Sequence, residues 1–234
     1  MPFAYRYFFA TTAGLYLSGG CGGAIAAEPV RYNLDPVHTR VMFAIDHAGF
    51  SKAIGTVSGT TGSLVFDPEH WREARLQAVV PLARIDLGDV GWNKAASAGN
   101  LLDVDQYPTA EFVATRVEPA APDRASVYGR LTLHGVSREI VLDVRLNAVK
   151  RHPLPPFRRT VGFSATTLLS RKDFGIDAWP SVIGDTVELR IEAEATRSHT
   201  NRDTGAPESH DDASTPTDAI DSDAAPTTIT EPTP

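Results

Sequence analysis

In three stretches between Val127 and Ala195 the apolar residues of this chain recur at every second position, and that period decides what it can fold into. "REIVLDVRLNA" sets Ile140, Leu142, Val144 and Leu146 against Val141, Asp143, Arg145 and Asn147. "TVELRIEAEA" sets Val187, Leu189, Ile191, Ala193 and Ala195 against Glu188, Arg190, Glu192 and Glu194. "VYGRLTLHG" sets Val127, Leu131 and Leu133 against Tyr128, Arg130, Thr132 and His134. Such alternation marks strands with one dry and one wet face, the habit of antiparallel sheets. Further strands fit residues 38–47, 53–67, 74–85, 110–118 and 157–169. Turn pairs such as Asp35-Pro36, Asp67-Pro68, Pro122-Asp123 and His134-Gly135 separate them. Only "VGWNKAASAGNLL", Val90 to Leu102, reads as a helix, and Gly91 and Gly99 confine it to a few turns.

About eight such strands with one helical insertion predict an all-β fold, a closed barrel or a sandwich. The stretch 53–67 favours the barrel. At about 3.4 Å per residue it would run roughly 45–50 Å if straight. Gly55, Gly59 and Gly62 interrupt it, and a strand that bends in mid-course is what barrel closure requires.

Charge is divided unevenly. From Ser198 to Pro234 eight acids stand against one base, Arg202, and carry the whole formal charge of −7, so residues 1–197 sum to zero. A neutral body with an acidic tail offers no basic stripe for nucleic acid. The tail, 198–234, is rich in Thr, Pro, Asp, Ala and Ser and is expected to be disordered. Residues 1–26 resemble a secretion signal peptide: Arg6, an apolar run too short to span a membrane, then Ala24-Ile25-Ala26. The expected location is therefore periplasmic or secreted. Leu17 to Cys21 approaches a lipobox, so a form lipid-anchored through Cys21 is the alternative. Cys21 is the sole cysteine, which excludes disulfides, thiol nucleophiles and thiolate metal sites from the folded part, residues 28–197.

No catalytic or metal-binding constellation emerges. His38 and His47 are nine residues apart in one expected strand and so face opposite ways; no H-x-x-x-H or H-E-x-x-H spacing occurs. "GFSKA" and "GFSAT" lack the closing glycine of a nucleophile elbow. "KDFGI" carries an Asp-Phe-Gly without the other protein-kinase elements and reads more simply as a bend whose Phe174 plugs one end. The chain is therefore expected not to be an enzyme and to need no cofactor.

The apolar faces are the remaining signal. Val41, Phe43 and Ile45 lie on one expected strand, Phe112 on another, Leu131 and Leu133, Leu142 and Val144, and Phe163 on three more. They either fill the barrel or line a cavity. Ala44, Ala78, Ala114, Ala165, Ala193 and Ala195 beside them would leave space if they point inward.

The motifs "YNLDPVHTRVMFAIDHAGFSKAIG", "LVFDP", "LLDVDQYPTAEF", "GRLTLHGVSREIVLDV" and "SRKDFGI", in this order, resemble the YceI-like family of secreted polyisoprenoid-binding proteins over Tyr32 to Ala195. The resemblance implies an eight-stranded antiparallel lipocalin-like barrel whose channel holds a long isoprenoid chain, a quinone or an isoprenyl phosphate. The nine apolar residues above would line that channel. Trp92, Asn93, Lys94, Arg171 and Lys172 would form a rim around the head group. In one respect this chain departs from the family. Charged or histidine-bearing positions usually precede the "LLDV" segment, whereas Ala95 to Gly99 here are small and uncharged. Two other readings stay open: a barrel isomerase or hydrolase using His47 or Asp46 on a small apolar substrate, and a stress-related envelope module with a filled core that binds protein. The sequence neither requires nor excludes a homodimer.

Overall fold

The computed structural model describes Val30–Ser198. The expected leader at 1–26, Cys21, and all but the first residue of the acidic tail lie outside these residues.

Eleven strands run in chain order: β1 (Val30–Leu34), β2 (Arg40–His47), β3 (Ser51–Ser58), β4 (Thr61–Phe66), β5 (Arg75–Pro81), β6 (Ile85–Asp86), β7 (Thr109–Ala121), β8 (Arg124–Leu133), β9 (Val136–Arg151), β10 (Arg159–Ser170) and β11 (Ile183–Arg197). Every pairing is antiparallel. The ring β1-β4-β5-β7-β8-β9-β10-β11 closes back on β1, so the sheet is a barrel of eight. β2, β3 and β6 are continuations of β1, β4 and β5 rather than extra staves. β1 pairs with β11 through Leu34↔Ala195, and β2 pairs with the same strand through Glu192↔Arg40 and beyond.

The expected strand 53–67 thus exists as two pieces, β3 and β4, broken at Gly59 and Thr60. Gly59 takes φ +81°, a left-handed backbone that glycine adopts without a Cβ clash. At Gly62 a Cβ would run into the Gln77 carbonyl of β5, so β4 and β5 approach closely there. The companion break between β1 and β2 leaves Glu194 of β11 without a strand opposite it. Thr39 fills the gap. Its hydroxyl donates to the Glu194 carbonyl at 3.3 Å and accepts from the Glu194 N–H at 3.4 Å, so the backbone polar groups at the bend stay paired.

Other boundaries also differ from those expected. β1 is a strand that alternation over five residues does not announce. The expected strand 74–85 turns through a 3-10 segment at Leu82–Arg84 before the two-residue β6. The helix, α1, covers only Val90–Ser97. It starts where the Asp89 carboxylate accepts the Trp92 N–H at 2.9 Å, an N-cap that satisfies an orphan donor. Ala98 then returns to extended backbone ahead of Gly99.

The two ends of the barrel are built differently. Where β4, β7 and β11 finish, Tyr32, Phe66, Val161 and Ala195 are fully buried. The indole of Trp71, from the 3-10 turn Trp71–Glu73, meets the Phe66 ring edge-on at 5.0 Å, and Phe66 meets Phe163 at 5.2 Å. These rings close that end. At the other end β6 stops at Thr56↔Asp86, so Ser51–Gly55 of β3 have no strand beyond them. The segment 87–108, with α1, takes the place of sheet there.

Candidate functional site

The inner faces of the strands do not meet in the middle. They enclose a cavity of about 540 Å³, inside the roughly 300–1,000 Å³ range of small-molecule sites. Its wall includes Val41, Phe43 and Ile45 of β2, Phe112 of β7, Leu131 and Leu133 of β8, Leu142 and Val144 of β9, and Phe163 of β10. Period-two geometry places them: each pair within a strand is two residues apart and therefore shares a face. Ala78, Ala114, Ala165 and Ala193 also face the space, and their missing side-chain volume is part of why it exists. Ala44 and Ala195 do not line it. Ala44 is on the opposite face of β2 from Phe43, and Ala195 is packed into the closed end. The barrel is not filled solid.

Trp71 and Phe66 form the floor. Around the mouth stand Trp92, Ala95 and Ala96 of α1, Leu101 and Leu102 after it, and Trp179 and Val182 before β11. Of these only Trp92 was foreseeable as a site residue. The floor and the second side of the mouth lie in turns and loops, where no periodicity points inward. The single tryptophan in the loop stretch "GIDAWPSV" was the one available hint.

Five positions expected at a rim separate into three situations. Trp92 lines the mouth and packs against the His47 ring at 5.2 Å. Asn93, Lys94 and Lys172 do not line the cavity. Asn93 turns away because its side-chain oxygen accepts the Leu87 N–H at 2.7 Å, tying α1 to the end of β6. Lys94 and Lys172 are exposed outward, where an ammonium keeps its hydration. Arg171 lines the cavity but is no open rim residue: it is buried and donates to the carbonyls of Gly184, Ile176 and Ile183 at 2.8, 2.8 and 2.9 Å. Its planar fork pins the segment 176–184 to the barrel. Phe174 is fully buried beside it, in the 3-10 turn Arg171–Phe174.

The polar groups that reach the wall are few: Thr39, Asp46, His47, Thr60 and Arg171, besides the indoles. Asp46 accepts the Gly49 N–H at 3.0 Å and so caps the turn between β2 and β3. His47 faces the mouth. Neither hydrogen-bonds another ionisable side chain among the described residues, so the pairing that a general base and its orienting partner need is not present there. His38 and His70 sit outside the cavity in matched Asp-Pro-x-His turns. His38 Nδ1 lies 2.8 Å from Asp35 and His70 Nδ1 lies 3.0 Å from Asp67. No group of three or more His, Cys, Asp or Glu that could hold a metal occurs among the described residues. No helix there is long and apolar enough to cross a membrane.

Comparison with known proteins agrees with this architecture. Residues 32–195 match the YceI-like domain. A UPF0312 protein of Pseudomonas savastanoi pv. phaseolicola is 32% identical over 176 residues, 75% of this chain and 90% of that one. Among solved structures, Burkholderia cenocepacia BcnA superposes with TM-score 0.63 at 22% identity, over 70% of this chain and 99% of that one. A polyisoprenoid binding domain from Saccharophagus degradans superposes with TM-score 0.56 at 17% identity, over 72% of this chain and 99% of that one. A matched domain that spans nearly the whole described barrel, with a relative this similar, places the chain in the YceI-like family.

Proposed function

We propose that the protein is an exported carrier or store for a long isoprenoid lipid, a quinone or an isoprenyl phosphate, held tail-inward in the barrel. The observation that carries this reading is the cavity itself: apolar along its length, closed by aromatic rings at one end and open at the other. Each buried CH₂ contributes about 0.8 kcal/mol. Two isoprene units would therefore supply about 8 kcal/mol, comparable with the ~4–15 kcal/mol cost of association. Affinity can thus come from the chain alone, and the polar groups near the mouth, Asp46 and His47, are left to meet the head group. The polyisoprenoid binding domain among the structural neighbours supports the same class of ligand.

The test is to purify the full chain without added lipid, extract it with organic solvent, and identify the extract by mass spectrometry. An isoprenoid is expected at a substantial fraction of one per protein. A variant with Ala114→Phe and Ala165→Phe, which fills the cavity, is expected to carry at least tenfold less while remaining folded. A clean extract from wild type, together with failure to take up a long-chain isoprenoid in vitro, would sink the reading.

A further inference from the structure

The mouth also exposes several large apolar side chains. Phe50, at the tip of the β2–β3 turn, is 91% exposed, and Val90, the first residue of α1, is 84% exposed. Trp92 and Trp179 are 44% and 49% exposed although both also line the cavity. Contacts place them together. The Trp92 ring lies on His47, the Phe50 N–H donates to the His47 carbonyl at 3.1 Å, and the Ala48 N–H donates to Val182, whose own N–H reaches back to Trp179. Three exposed aromatic groups therefore ring one opening, and Val90 begins the helix that carries Trp92.

We propose that this collar is a docking face for the surface of a lipid bilayer, into which Phe50, Val90, Trp92 and Trp179 insert to bring the mouth to the membrane. Two features favour a bilayer over a second copy of this chain. Taking an aromatic side chain as about 150–250 Å², the three rings together expose roughly 400 Å². A stable protein interface needs about 800 Å² per partner, whereas a few inserted rings suffice for an interfacial contact. The collar is also made of separate points, a hairpin tip, a helix start and a loop, rather than a face. A deformable medium accepts such points. Tryptophan, with an apolar body and one N–H, is the side chain enriched at the water–membrane boundary.

Charge sets the kind of bilayer. Asp46, Asp86, Asp89, Asp173, Asp177, Asp185 and Glu188 flank the mouth, and its bases are Lys52, Lys94, Lys172 and the buried Arg171, of which Lys52 is already paired with Glu188. Acids outnumber bases, so anionic lipid adds no attraction. The docking is apolar, onto zwitterionic lipid, and insensitive to salt. It rests on the cavity having its opening here and not on which lipid fills it.

The test uses the full chain with phosphatidylcholine vesicles that contain no isoprenoid. Two of the chain's three tryptophans are in the collar and the third, Trp71, is buried in the floor, so intrinsic fluorescence reports the collar. Brominated phosphatidylcholine is expected to quench it, and flotation is expected to change less than twofold between low and high salt. Phe50→Ser with Val90→Ser, two positions outside the cavity wall, is expected to lower vesicle partitioning at least fivefold while lipid loading stays unchanged. Leu154→Ser, an exposed apolar residue at the closed end, is expected to leave it unchanged. No flotation, flotation only on anionic vesicles at low salt, an equal loss in Leu154→Ser, or a concentration-dependent dimer that buries Phe50 would each overturn the proposal. Because the vesicles hold no candidate ligand, an isoprenoid-loaded protein that fails to float defeats docking alone.

Discussion

The closed end and the mouth of this barrel use the same kinds of side chain to opposite effect. At the closed end Phe66, Trp71 and Phe163 interlock at ring distances of 5.0–6.4 Å and shut out water. At the mouth Phe50, Trp92 and Trp179 stand apart and exposed. The difference comes from what the backbone can pair with. Around the closed end the ladder runs to the strand ends, as in Val30↔Phe66 and Tyr32↔Arg197, so aromatic side chains have a continuous wall to pack on. At the mouth β6 gives out after two residues, and loops held by side-chain hydrogen bonds of Asn93, Arg171 and Asp185 take over. A packed floor and an opening built of loops are what the proposed container would need, because only one end has to admit the chain.

The contrast breaks first if the floor is not a packed plug. Phe66→Ala is expected to destabilise the protein by about 3–5 kcal/mol, the usual range for removing a buried aromatic ring. Phe50→Ala at the mouth should stay within about 0.5 kcal/mol. Urea unfolding of both variants measures the difference, and equal values would erase the distinction between the ends.

A smaller effect sharpens it. Asp89→Ala removes the cap of α1, a change that costs a helix about 0.5–2 kcal/mol. Because α1 has no buried residue, the loss is expected to stay local. Hydrogen exchange at residues 90–97 should accelerate several-fold with little change in Tm. A matching fall in Tm would mean that α1 is part of the cooperative core.

The floor and the wall were legible in the sequence to different degrees. Val41 and Phe43, or Leu142 and Val144, share a face because the side-chain period of a strand is two, and that is written directly in the order of residues. The break between β3 and β4 was announced by Gly59. The rim was not legible. Whether Asn93 faces the cavity depends on hydrogen bonds with Leu87 and Asp86, and whether Arg171 is free depends on three carbonyls contributed by residues 176–184. Such polar choices are decided by tertiary neighbours, which a local pattern does not name. Trp71 illustrates the same limit for the floor, since a turn has no period to show which way its side chain points.

The smallest expected effect separates the two regions by pH. Hydrogen bonding to Asp35 raises the His38 pKa above 6.5. Burial opposes ionisation of Asp35, but hydrogen bonds from His38 and from the Val37 and His38 N–H groups outweigh it and lower the pKa below 3.8. At the closed end the Glu69 N–H and His70 lower Asp67, and Asp67 raises His70. A raised histidine stabilises fully below its unfolded pKa, and that contribution is lost as pH rises through the folded one; a lowered carboxylate stabilises above its unfolded pKa and loses its contribution as pH falls. These turns are therefore firmest between about pH 4 and 6.5 and weaken on both sides. The mouth is held by lowered carboxylates instead. The Gly88 N–H and the Asn93 amide bond Asp86, while at Asp185 burial is outweighed by the Lys172 N–H and the Ser170 hydroxyl. The sign there runs one way: its anchors weaken only as pH falls through the acid range. Hydrogen exchange should accordingly loosen the 35–39 and 67–70 turns between pH 6 and 8 while residues 86–97 and 170–185 hold, after correction for the intrinsic rate. Acidification toward pH 3 should loosen both regions. His38→Asn, which cannot gain a proton in this range, should flatten the alkaline side at the first turn alone, and an unchanged profile would show that the His38–Asp35 pair does not set it.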